Sequence, residues 1–358
     1  MSRQMTRGLM LCLVALALLI PGSLSAQQNA PQRAKAFATT PDIPYDSVAN
    51  FIKLPANYYL GEGIGVARNS KGNVFVYTRS GESSRLFEFD PNGTFVREIG
   101  RGVYGFQMAH AVRVDPQDNI WVVDEGTDMV VKFNPAGRVV MVLGRRPESV
   151  AGLVETPGRG APRPAAQPYT FGRPTDIAWD PQGNIFIADG YTNSRVVKYD
   201  KNGKFVRSVG TLGPLPSQLN TPHSIQVDAG GNVYVADRGN NRIQVFSNDL
   251  TLRAIYDHVG QPWTLCITPG PHQYLYSSNS NPDNNNSILS AVRGEIYKME
   301  LDGTVLGKFG SAGKQLKEFG TVHSIDCKTD NELVVGEITT WRVQKLMLRP
   351  PATQSSAR

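Results

Sequence analysis

Self-similarity is the feature that most restricts this chain. A segment running T-D-I-A-W-D-P-Q-G-N-I-F-I-A-D-G-Y-T-N-S-R-V-V-K-Y-D-K-N-G-K-F-V-R-S-V-G from Thr175 to Gly210 recurs, with less fidelity, along most of its length. Each copy alternates apolar residues with Gly, Asn and Asp turn signals, the pattern of four short strands joined by tight connections. Copies begin near Ile64, His110, Thr175 and His223, and weaker ones near Leu265 and His323, where Tyr274–Tyr276 and Leu333–Val335 keep the second strand but the Gly-Asn turn is lost. Six such units predict an all-β fold, a six-bladed β-propeller spanning 44–348, because radial repetition protects sheet edges. The last copy ends at Leu348 after three strands. Residues Val48–Leu54 are expected to supply the fourth and so close the ring.

The flanks read differently. Arg3 and Arg7 precede an apolar run from Leu9 to Ile20, followed by Pro21 and small residues. This is the pattern of a secretory signal peptide over 1–26, so a secreted or periplasmic protein is expected. That run falls short of the roughly 20 residues a membrane span needs, and none is expected. Residues 27–43 and 349–358 are polar and read as disordered tails. Of the three cysteines, Cys12 lies in the leader, so Cys266 and Cys327 remain, and one bridge between them is open. The net charge of +6 is spread without a basic run, which leaves nucleic-acid binding without support. The sequence carries no signal for oligomeric state.

Aligning the units on the first hairpin turn places Ile64, His110, Thr175, His223, Leu265 and His323 in one phase, so histidine falls on every second blade. Any one of them reads as a structural residue at a strand start. Three of the chain's five histidines sharing a phase by chance is on the order of a one-in-a-thousand event. Alternate blades of a six-fold ring lie about 120° apart, so the three imidazoles face each other across the channel, as three neutral ligands of a catalytic zinc would. Iron, copper and nickel share that ligand preference.

The end of each second strand lies at the same mouth. There the sequence has Arg79, Glu125, Tyr191 and Arg238. Arg79, Tyr191 and Arg238 form the candidate reactive set: the arginines suit a carboxylate, and Tyr191 beside a cation is expected to ionise below its usual pKa of about 10 and act as a base. Asp189, Asn193 and Arg195 match Asp237, Asn241 and Arg242, and are read as residues that maintain the repeat's turns. Insertions at 145–170 and 278–293 flank the mouth.

These motifs carry a resemblance. F-G-R-P-T-D-I-A-W-D and I-A-D-G-Y-T-N-S-R-V-V within 171–197, T-P-H-S-I at 221–225 and A-D-R-G-N-N-R-I-Q at 236–244 are similar to the lyase domain of the peptidylglycine α-amidating enzymes, and the likeness runs from about residue 60 to 348. It implies a six-bladed propeller of NHL-type repeats with zinc on His110, His223 and His323, a catalytic tyrosine at Tyr191 and active-site arginines at Arg79 and Arg238. The implied reaction cleaves a peptidyl-α-hydroxyglycine, or a related carbinolamine, to a peptide amide and glyoxylate, so the expected partner is a small peptide substrate. The family also carries a structural calcium beside an Asp that follows the third histidine. Here Ser324 stands in that place, which weighs against calcium, and Thr192 replaces the cysteine that follows the tyrosine. No segment resembles the monooxygenase half that makes the hydroxyglycine. A noncatalytic propeller that binds a protein, peptide or glycan is the alternative, and zinc content separates the two. A lactonase-type propeller, which binds calcium through carboxylates, is disfavoured by the histidine mouth.

Overall fold

The computed structural model describes residues 40–81, 83–145, 166–280, 294–329 and 331–349; the leader, most of both tails and the centres of both insertions lie outside them. Within them the chain forms six four-stranded antiparallel sheets arranged as propeller blades. Blade 1 comprises Glu62–Arg68, Val74–Arg79, Ser84–Phe89 and Phe95–Ile99, and blade 2 comprises Ala109–Val114, Ile120–Asp124, Met129–Phe133 and Val139–Gly144. Blades 3 and 4 start at Asp176–Trp179 and Pro222–Val227, blade 5 at Pro262–Ile267 and blade 6 at Val322–Thr329. The first strands of neighbouring blades contact one another around the axis. They are therefore the channel wall.

Local chemistry explains the hairpins. Asp115, Asp180 and Asp228 each accept the backbone N–H four residues on, a side-chain turn that fixes the first hairpin of blades 2, 3 and 4. The tight turn then needs a left-handed residue, supplied by Gly183 at φ 84° and Gly231 at φ 82° and, in blade 2, by Asp118 at φ 60°. Apolar side chains fill the spaces between blades: Ile64, Tyr77 and Leu86 of blade 1 pack against Val112, Val122 and Phe133 of blade 2.

The N-terminal strand closes the ring, but with a different segment from Val48–Leu54. Tyr45–Val48 pairs antiparallel with the last strand, Tyr45 opposite Leu348 and Val48 opposite Lys345. The chain then breaks at Asn50, whose φ is 49°, and Phe51 turns inward, buried among Val66, Phe87 and Val334. Burying that aromatic ring between blades 6 and 1 outweighs extending the strand. Residues just before it, placed with the tail by composition, are also engaged: the Ile43 N–H donates to the Lys308 carbonyl and the Lys308 N–H to that of Pro41.

Cys266 and Cys327 form a disulfide that joins the first strands of blades 5 and 6 across 61 residues of sequence. Loop closure of that length is worth about 4 kcal/mol in the chain-entropy account. The Cys266→Ser, Cys327→Ser pair is expected to lose stability of that order in a denaturant titration, with the folded-state circular dichroism unchanged.

Candidate metal centre and its surroundings

The shared phase of the histidines has a backbone origin. In blades 2, 4 and 6 the first strand bulges at the histidine itself, between Ala109 and Ala111, Pro222 and Ser224, and Val322 and Ser324. A bulged residue leaves the ladder and re-aims its side chain, here toward the axis. The three rings converge with centroids 4.6, 4.7 and 4.8 Å apart, and their ligand nitrogens lie within 4.8 Å of one another.

Each ring is oriented by a carbonyl of the next blade. His110 Nδ1 lies 2.5 Å from the Thr175 oxygen, His223 Nδ1 2.6 Å from that of Trp263, and His323 Nδ1 2.8 Å from that of Ile64. A carbonyl only accepts, so each Nδ1 carries the hydrogen and each Nε2 keeps a lone pair. Burial holds all three histidines below their ordinary range: His110 and His223 well below, His323 down to about 3, with Arg79 and Arg238 adding to the effect. The rings are thus held neutral, which is the form that binds a metal.

These contacts correct one alignment. The blade 5 position equivalent to the histidines is Trp263, not Leu265: the bulge there lies between Pro262 and Leu265. Val114 pairs with Ile120 in blade 2, whereas Ile267 pairs with Leu275 in blade 5, so that hairpin is two residues longer. Counting back a fixed number of residues from the turn therefore stops two short of Trp263. Trp263 packs on His223 at 5.1 Å and under Arg238, whose guanidinium carbon is 4.3 Å from the indole ring.

Tyr191 reaches the centre. Its hydroxyl lies 3.2 Å from His223 Nε2 and 3.3 Å from His110 Nε2. Arg238 and Arg173 lie over its ring at 5.4 and 4.6 Å. The neighbouring arginines do not bring Tyr191 below its ordinary range, because burial outweighs the pull of Arg238 and Arg79 and holds the hydroxyl above it.

The two arginines read from sequence differ. Arg79 is held by the protein: its Nη2 donates to Glu125 Oε1 at 3.0 Å, its Nε to the Ala109 carbonyl, and Glu62 lies 3.6 Å away. Among the described residues no carboxylate pairs with Arg238, which leaves it the cation best placed to receive a substrate carboxylate. Glu125, read at the mouth but not grouped with the reactive set, is buried and bridges Arg79 to Arg173 at 3.4 Å. Arg173 was not singled out by sequence reasoning. It sits at φ 57° with its N–H on Asp128, where blade 4 has Thr221 at φ 53°.

The turn residues are scaffold, as expected. Asp189 holds Arg195 and Asn193, and Arg195 reaches the carbonyls of Ala166, Gln167 and Thr170. Asp237 and Arg242 repeat this in blade 4, where Asn240 takes the amide role and Asn241 adopts the left-handed φ of 54°.

The NHL repeat model matches residues 171–199 and 219–246, within blades 3 and 4. A probable peptidyl-α-hydroxyglycine α-amidating lyase of Caenorhabditis elegans is 30% identical over 81% of this chain and 83% of its own. The chain belongs to this family of NHL-propeller lyase domains. NHL repeat-containing protein 3 of Mus musculus is 31% identical over 81% of this chain and 80% of its own length. Peptidyl-glycine α-amidating monooxygenase B of Xenopus laevis is 30% identical over 75% of this chain, which spans only 30% of that longer protein.

Proposed function

We propose that this chain is a zinc-dependent lyase that cleaves a peptidyl-α-hydroxyglycine, or a related carbinolamine, to a peptide amide and glyoxylate. The observation that carries the reading is the Tyr191 hydroxyl beside the Nε2 atoms of two of three converging histidines. Three neutral, carbonyl-oriented nitrogens on a buried axis fit zinc. Bound there, zinc would supply Lewis acidity toward the substrate hydroxyl and the positive charge that Tyr191 needs to ionise.

The chain's own residues do the rest. Arg238, paired with no carboxylate among the described residues and stacked on Trp263, binds the carboxylate of the hydroxyglycine and turns its hydroxyl toward Tyr191. Arg79, fixed by Glu125, faces the charge that develops as the bond breaks. The Tyr191 oxygen takes the hydroxyl proton, the carbon–oxygen double bond forms, the C–N bond breaks, and the proton ends on the leaving amide nitrogen. No redox partner is needed. Export through the leader at 1–26 belongs to this proposal, and the Cys266–Cys327 bridge supports an oxidising compartment.

The test is glyoxylate release from a peptide ending in α-hydroxyglycine, measured beside metal content. Turnover that follows zinc occupancy supports the proposal. Zinc without turnover rejects this substrate class, and absence of any bound metal favours a noncatalytic propeller that binds protein, peptide or glycan.

A further inference from the structure

The axis beneath the histidines is occupied by the protein itself. Arg113, three residues after His110 on the first strand of blade 2, lies across the channel with its side chain 11% exposed. Its Nε and Nη2 donate to both oxygens of Asp176 at 2.9 and 2.6 Å. The same guanidinium is 3.4 Å from Ser224 Oγ, from the Leu265 carbonyl and from the Ile325 carbonyl. Those four acceptors come from blades 3, 4, 5 and 6. A carboxylate, a hydroxyl and two carbonyls converging on a buried axis are the donors a hard cation takes. Here they surround a guanidinium, so calcium would have to displace that charge or bind against it. Ser324 offers no replacement carboxylate, since its hydroxyl accepts the Val66 N–H at 3.1 Å. The residues present do not fit calcium.

We propose that Arg113 is the resident cation of this propeller's axis, serving in covalent form the role of a bound calcium ion, and that it sets the spacing of the histidine trio. The second part follows from where its acceptors sit in sequence. Asp176 follows Thr175, whose carbonyl orients His110; Ser224 follows His223; Leu265 lies two residues after Trp263, whose carbonyl orients His223; and Ile325 lies two after His323. One planar, bidentate group therefore ties together the strands that carry or orient all three ligands. Arg113 also lines both the small pocket below the histidines and a cavity of about 480 Å³ at the opposite mouth, so it lies between the two. Arg113 is a positioning residue, and the inference rests on channel geometry, so it stands whether or not the lyase reading does.

The test begins with the wild-type protein, whose calcium content after passage through calcium-containing buffer is expected to be negligible and whose melting temperature is expected to be unmoved by millimolar calcium. Stoichiometric retained calcium, or a rise of several degrees, overturns the proposal. Two variants of similar length then separate charge from packing. Arg113→Met is expected to lower the melting temperature by roughly 10 °C, since it leaves Asp176 buried without its partner, while Arg113→Lys, which keeps the charge, is expected to recover most of that loss. Cobalt bound at the histidines gives a readout that bulk destabilisation does not move: its visible bands are expected to shift in Arg113→Met and stay near wild type in Arg113→Lys. Equal effects of the two substitutions overturn the assignment. If Arg113→Met does not fold, the calcium measurements on the wild type decide.

Discussion

Replacing His110 and His223 together by alanine is expected to remove metal binding and, with it, turnover. Three neutral ligands and an open fourth position make a stable centre, whereas a single remaining imidazole does not. Metal content measured by plasma emission should fall from near stoichiometric to background. A catalytic zinc contributes several kcal/mol of charge stabilisation, so glyoxylate release should fall by about 10⁴-fold or more. The fold should survive, because each ring is tied to the backbone of the next blade through one carbonyl, that of Thr175, Trp263 or Ile64. Unchanged circular dichroism with metal lost would place the ligands; full metal retention in the double variant would refute the centre.

The second large effect is expected from Tyr191→Phe. The substitution removes one oxygen, 3.2 and 3.3 Å from two ligand nitrogens, and leaves the ring between Arg173 and Arg238 in place. Metal content and melting temperature should stay within error of wild type. The rate should fall by about 10²- to 10⁴-fold, the range for loss of a positioned acid or base, and the loss should appear in kcat with little change in KM. A variant that keeps wild-type kcat would show that the proton is carried by another group.

Arg238 and Arg79 give a contrast that follows from their different partners. Arg238 has no carboxylate among the described residues, whereas Arg79 is fixed by Glu125. Arg238→Ala should therefore raise KM more than Arg79→Ala does, a comparison steady-state kinetics settles directly.

Much of this was legible in the sequence because a repeat prints the same physical requirement several times. Alternating apolar residues and Asp-anchored turns recur in register with the blades, and a histidine that departs from the pattern in alternate copies shows through as a shared phase. Tyr191 was visible for the opposite reason: it breaks a repeat whose neighbours, Asp189 and Arg195, obey it. What failed to show were features set by chain length between anchors or by contacts between blades. The longer first hairpin of blade 5 concealed Trp263, and the choice between Tyr45–Val48 and Val48–Leu54 turned on where Phe51 could be buried.

The sequence by itself determined the six units, the ring they make, and the shared phase of the three converging histidines, because each follows from periodicity that local hydrogen bonding and alternation enforce. Tertiary structure decided the electrostatics. Which arginine is spent on a protein carboxylate, whether Tyr191 is pulled down or pushed up, and which cation fills the axis depend on groups from different blades brought within a few ångströms. In a buried site such distances set the balance between desolvation and charge pairing, and no spacing along the chain encodes them.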